Sequence, residues 1–334
     1  MVSGKDLRVI CPWCGTLNQG SARFCISCGK RLGDQAYDRP RFLFNARKGN
    51  NSPWRYILTI ILTLGGSSIL VGIILGIFLG IFLFLSDMTL DVYSILFNPF
   101  WLLVIAGMVF CVAYIFLYLS VRFLHNRSFK SLINTGREID WRRIVRGAIV
   151  WFLIMSVIDI IYFMLSPESF KFSFEPQSFL LLSVIALIVF PIQASFEEVF
   201  FRGYLLQALG LLSKSPFLAL IANSLIFAGL HWWNGSTPMM SLSIVISAFI
   251  IGLMLGLITL ADDGIELAVG IHIINNLYVS VIHNSPDSGL GNLPSLVVTP
   301  PNPYLSPIIL LVAVIVVIFI LFRDRREDVL KVFK

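Results

Sequence analysis

The chain has 334 residues, 57% hydrophobic and 13% charged, with a formal net charge of +6 and a mean hydropathy of +0.85. Soluble domains carry about 25% charged residues, so this composition excludes a soluble globule and implies a polytopic membrane protein. The basic residues gather at the ends of apolar runs, in the pattern of a membrane face; a nucleic-acid partner has no basic-aromatic pattern behind it.

The first 30 residues form one unit, with Cys11-x2-Cys14 and Cys25-x2-Cys28 separated by ten residues. That spacing predicts a tetrahedral four-thiolate zinc site. Gly15 and Gly29 follow the second cysteine of each pair, where the backbone must turn for its N–H groups to approach sulfur. A unit this small buries no core, so structural zinc supplies its folding energy. Its expected role is to bind a protein partner, not to catalyse. It resembles the short zinc ribbons attached to prokaryotic proteins. The polar N-terminus lacks the apolar region of a cleavable signal peptide. Residues 31–55 read as a polar, basic linker without a helical apolar period.

Eight apolar segments follow, and the expected fold class is all-α: eight transmembrane helices plus the small four-Cys ribbon. The segments are placed at about Ile57–Leu85, Phe100–Leu124, Ile144–Leu165, Phe179–Phe201, Pro216–Trp232, Met240–Leu260, Ile265–Ile282 and Leu305–Phe322. With a cytosolic N-terminus, the loops after the odd-numbered segments are external, and they hold one cation, Lys171, of the chain's 25. The positive-inside rule predicts that asymmetry, with both termini cytosolic. Glycines 65, 66, 72, 76 and 80 of the first segment permit close helix packing.

Ionisable side chains inside such helices are functional candidates by default. They are Asp159, Glu197, Glu198, Arg202, His231 and His272, with Gln193, Asn223, Asn275 and Asn276 as polar companions. On a helix Glu198 and Arg202 share a face, acid before base, and neutralise each other. Glu197 is turned by about 100° and is left without that partner, free to act as a general base. His272 and Asn276 share a face of the seventh helix; His231 ends the fifth. Together these groups suit amide hydrolysis: Glu197 activates water, His231 holds it, and His272 with Asn276 donates to the oxyanion. Asn275 points elsewhere, as helix packing. With these boundaries Glu197 and His231 differ in depth by about 20 Å; extending helix four through Leu212 would close the gap.

Glu197-Glu198-x3-Arg202, Phe227-x3-His231 and His272-x3-Asn276 resemble the three motifs of the CPBP intramembrane proteases, which include CAAX prenyl endopeptidases and bacteriocin-processing, abortive-infection-type proteins. The resemblance implies Glu197 as catalytic glutamate, Glu198–Arg202 as structural pair, His231 as water-holding histidine, and His272 with Asn276 as oxyanion group. It covers roughly residues 130–285. The chain accordingly divides into the ribbon (1–30), the linker (31–55), two leading helices (56–125), a protease core (126–285), and an eighth helix with basic tail (286–334).

The sequence lacks HExxH, so metal-free general-base chemistry is expected, although Glu197, His231 and His272 could also hold a catalytic zinc. The expected setting is a prokaryotic plasma membrane, and the partners are the bilayer and a membrane-associated peptide or protein substrate. Two rivals remain: a non-catalytic immunity or peptide/lipid-binding protein using the same cavity, and a proton-coupled transporter. Asp159 either lines the cavity or bonds Gln193 or Asn223, with the structural role expected. Trp232 and Trp233 read as an interfacial aromatic belt, and Cys111 as packing. His125 and His283 lie in or beside loops and are not candidates.

Overall fold

In the computed structural model residues 8–11, 16–20, 22–29, 32, 40–86, 98–135, 138–286 and 293–333 are described. Seven helices among them are long and apolar enough to cross a membrane: α1 Pro53–Leu85, α2 Pro99–Leu124, α3 Trp141–Leu165, α4 Pro176–Ser213, α5 Pro216–Asn234, α6 Pro238–Asp262 and α8 Leu305–Phe322. Between the last two lies a shorter apolar helix, α7 Glu266–Ile282. The all-α membrane architecture read from the sequence is thus the one observed, with one of the eight predicted spans shorter than the rest.

Local sequence explains the helix starts. Helices α1, α2, α4, α5 and α6 each open on proline, whose missing N–H is no loss in a first turn. Asn98, Asp140, Ser215 and Thr237 cap α2, α3, α5 and α6 by accepting a backbone N–H with their side chains.

Two cores hold the bundle. In one, Phe196, Phe200, Phe201 and Tyr204 of α4 pack against Ala113, Leu117 and Val121 of α2 and Phe227 of α5. In the other, Trp151 of α3 meets Leu255 and Ile258 of α6, Leu267 and Ile271 of α7, and Val317 of α8. Helix α6 is the most buried of the spans and α1 the least. The α3–α7 crossing depends on two glycines: a Cβ at Gly147 would strike the Leu267 carbonyl, and one at Gly270 the Ile144 carbonyl. Within α1, by contrast, Gly65, Gly72, Gly76 and Gly80 face open space, and Gly66 alone meets a neighbour, Phe116.

The connections sort onto two ends. At one, β3 Lys171–Phe172, β5 Val297–Val298 and β4 His283–Asn284 form a three-stranded sheet in that order, antiparallel then parallel. It joins the α3–α4 and α7–α8 connections. At the other, the backbone N–H of Phe42 donates to Asp263 at 3.0 Å, and Arg143 and Arg325 both pair with Asp262, at 3.1 and 2.8 Å. The N-terminal linker, the start of α3, the α6–α7 turn and the C-terminal tail therefore meet at one end, as the charge asymmetry required.

Two expectations need correction. The linker is not featureless: Arg41–Lys48 form a 3-10 helix in which Phe42 and Ala46 are fully buried. Asn45 of that helix donates to the carbonyls of Ser131 and Asn134 at 3.0 and 2.8 Å. Its order comes from these distant partners, so no local period announces it. Helix α4 also runs past Phe201 to Ser213, where Lys214 adopts a left-handed φ of 57° and ends it.

Candidate active site and zinc ribbon

The length of α4 settles the depth of the polar set. Glu197 lies sixteen residues before Ser213, and His231 fifteen after Pro216. From the shared turn the two are about 24 Å and about 22 Å up their helices. They stand level, and the 20 Å mismatch expected from a shorter α4 does not exist.

From Glu198 to Leu205 the backbone of α4 is π-helical, a wide turn that recurs at functional sites. Glu198 and Arg202 are fully buried and pair at 2.8 Å between Oε1 and Nη1. The ring of Phe227 lies 4.4 Å from the Arg202 guanidinium, a desolvated cation–π contact. Nδ1 of His272 lies 2.7 Å from the same Glu198 Oε1. The pair expected from helix geometry is present, and His272 joins it as a third member.

Glu197 is not partnerless. Nε2 of Gln193, one turn earlier, donates to its Oε1 at 2.6 Å. Nδ2 of Asn276 donates to Gln193 Oε1 at 2.8 Å. Oε2 of Glu197 has no hydrogen bond among the described residues, and His272 Nε2 lies 3.6 Å from it. Glu197, Glu198, His272 and Asn276 thus form one connected set. Gln193 binds it together, a role its position four residues before Glu197 could have suggested.

His231 is joined to the set through Phe227. Its Nδ1 lies 2.8 Å from the Phe227 carbonyl, which must accept, so Nδ1 carries a proton and, in the neutral ring, Nε2 is the acceptor. Its ring lies 4.7 Å from the Phe227 ring, which in turn lies 6.3 Å from that of His272.

The remaining candidates do not bond Glu197 directly. Asn275 accepts from the indole N–H of Trp151 at 3.1 Å and donates to Asn276 at 3.2 Å. Asn223 donates to the Phe201 carbonyl at 2.9 Å. Asp159 pairs with neither Gln193 nor Asn223; it accepts from Tyr278 at 2.7 Å and from His283 at 2.8 Å. His125 is buried, bonded to Tyr204 and to the Asn50 carbonyl at 2.8 Å each. Cys111, expected to pack, is exposed on α2. Trp232 and Trp233 are exposed, as an interfacial belt requires.

In the N-terminal unit β1 Arg8–Ile10 pairs antiparallel with β2 Leu17–Gln19. The sulfurs of Cys11, Cys25 and Cys28 lie within 4.8 Å of one another, Cys11 and Cys28 at 3.5 Å. Tetrahedral Zn–S bonds of about 2.3 Å place sulfurs about 3.8 Å apart, so the three fit one ion. Cys14 lies outside the described residues. The Ser27 amide and the Asn18 side chain approach Cys25 Sγ at 3.4 and 3.7 Å, the outer hydrogen bonds that steady a thiolate ligand. Gly29 turns the chain with φ of +67°. A catalytic metal would need Glu197, His231 and His272; among the described residues the cysteines are the one set of three or more metal-binding side chains that converges.

The fold and site define a polytopic helix bundle that carries a connected glutamate–histidine–amide set among its apolar helices and a cysteine ribbon at its N-terminal end. Residues 176–278, covering α4 to α7 up to Tyr278, match the family described as type II CAAX prenyl endopeptidase Rce1-like, and residues 10–32 match a zinc-ribbon domain. The chain is 34% identical over 261 residues to uncharacterized protein YyaK of Bacillus subtilis strain 168, across 77% of this chain and 87% of YyaK. No solved structure matches. The chain belongs to the Rce1-like CAAX endopeptidase family, carries a zinc-ribbon domain, and is an integral membrane protein. Family membership supports intramembrane endopeptidase activity in general.

Proposed function

We propose that this chain hydrolyses a peptide bond of a membrane-associated substrate, with Glu197 as general base and no catalytic metal. The observation that carries the reading is the division of labour around Glu197: Oε1 is held by Gln193, while Oε2 is unbonded and faces His272. Oε2 takes the proton of a water molecule whose other hydrogen is accepted by Nε2 of His231. As the hydroxide adds to the scissile carbonyl, Asn276 Nδ2 and His272 Nε2 donate to the oxyanion. A histidine whose Nδ1 donates to Glu198 can donate from Nε2 only as imidazolium. The proton on Glu197 then passes to the leaving amine.

Glu197→Gln keeps the hydrogen-bonding shape and removes the base. Cleavage of a membrane-associated peptide by the purified protein should fall about 1,000-fold. Wild-type turnover in that variant would overturn the assignment. In a cellular immunity assay, an unchanged phenotype for Glu197→Gln would favour the non-catalytic binding reading instead. The bacterial relative and the distribution of basic residues support a prokaryotic plasma membrane with both termini in the cytosol, and the ribbon then offers itself to a cytosolic protein partner.

A further inference from the structure

Four hydrogen bonds run without a break from the second core to Glu197. The indole Nε1 of Trp151 donates to Asn275 Oδ1 at 3.1 Å, and Asn275 Nδ2 donates to Asn276 Oδ1 at 3.2 Å. Asn276 Nδ2 donates to Gln193 Oε1 at 2.8 Å, and Gln193 Nε2 donates to Glu197 Oε1 at 2.6 Å. The chain of bonds crosses three helices, α3, α7 and α4. Its direction is fixed at both ends, since an indole nitrogen only donates and an ionised carboxylate only accepts. Every amide between them has therefore one orientation that satisfies the whole. Trp151 is fully buried, so the first link is anchored in packed core.

We propose that Trp151, Asn275 and Gln193 are positioning residues that act as a unit, with Gln193 the last member, setting the rotamer of Glu197 and the aim of Asn276 together. This rests on the general-base reading above. Gln193 occupies Oε1 of Glu197 and so leaves Oε2 as the oxygen that meets water. It also takes one of the two Nδ2 hydrogens of Asn276, which directs the other to the oxyanion. Base and oxyanion donor are thus held by opposite ends of one amide. A shift of about 1 Å in either costs about 100-fold in rate, and such polar chains gain rigidity when every member is satisfied.

The test uses full-length protein in lipid nanodiscs and an internally quenched peptide ending in a prenylated CaaX box, the substrate class that names the family. Gln193→Met removes both bonds at nearly constant volume. It should lower kcat about 100-fold with KM within about twofold. Trp151→Phe keeps most of the ring packing and removes only the first donor; it carries the same test should Gln193→Met not fold. The double variant should be no slower than Gln193→Met alone, because both cut one chain, whereas two separate packing defects would multiply. A readout independent of turnover is hydrogen exchange of the Trp151 indole N–H, which should quicken about tenfold in Gln193→Met as the chain loosens. Wild-type kcat in Gln193→Met, multiplying effects, or unchanged indole exchange would overturn the positioning role. A fully active Glu197→Gln would instead overturn the general-base reading beneath it.

Discussion

Oε1 of Glu198 accepts two hydrogen bonds, from Arg202 Nη1 at 2.8 Å and from His272 Nδ1 at 2.7 Å, while Arg202 and Glu198 are wholly out of solvent. One oxygen therefore joins α4 to α7 and fixes which nitrogen of His272 faces Glu197. The ion pair of α4 is thereby tied to a histidine of α7.

Removing one member strands the other. Glu198→Gln leaves the buried Arg202 charge without its anion and should cost about 3–5 kcal/mol, read as a large fall in the thermal unfolding midpoint in nanodiscs. Glu198→Leu combined with Arg202→Met should recover much of that stability and none of the activity, since His272 loses its anchor. A double variant as unstable as the single one would contradict this.

The glycines divide by position. Gly270→Ala places a methyl group against the Ile144 carbonyl and must push α7 away from α3, for a cost of about 1–3 kcal/mol and loss of cleavage, because His272 and Asn276 ride on α7. Gly76→Ala, facing open space on α1, should leave unfolding and activity unchanged. Equal effects at both positions would rule out the α3–α7 crossing as the tight contact.

Zinc should be found by metal analysis of the purified protein at about one ion per chain. Cys25→Ser should abolish it and expose the ribbon to proteolysis, while the helix bundle, which shares no core residue with Cys11 and Cys25, keeps its unfolding midpoint. Zinc retained in Cys25→Ser would refute the four-thiolate site.

Burial pushes the Asp263 carboxyl above the usual carboxylate range, against the Phe42 amide and the Arg41 charge, which favour its ionised form. A carboxyl raised on folding contributes stability that is complete below its unfolded pKa of about 3.9 and is lost as pH rises through the folded value. Asp263→Asn retains an acceptor for the Phe42 N–H and tolerates the left-handed φ of 55°. It should unfold at higher temperature than wild type near neutral pH, with the gap closing towards pH 4. A gap that widened on acidification would reverse the sign of the argument.

The helix count, the sorting of loops onto two ends and the ribbon were legible in the sequence, because each follows from local composition: apolar length, the side on which cations fall, cysteine spacing. Glu198 with Arg202 was legible too, because four residues on one helix is a local distance. The end of α4 was legible only as an alternative, an extension through Leu212; contacts with the 3-10 helix at Arg41–Lys48, whose own order comes from Asn134 and Ser131 about ninety residues on, decided it.

What the sequence determined alone was therefore the inventory: which polar side chains lie within apolar helices, and which pairs share a face. Only the tertiary structure decided that Glu197 and His231 stand level, that His272 takes hold of Glu198, and that Gln193 joins Glu197 to Asn276. Those contacts cross between helices, and helix rotation and depth are set by close approaches of residues far apart in the chain, such as Gly270 to the Ile144 carbonyl, which no local period records.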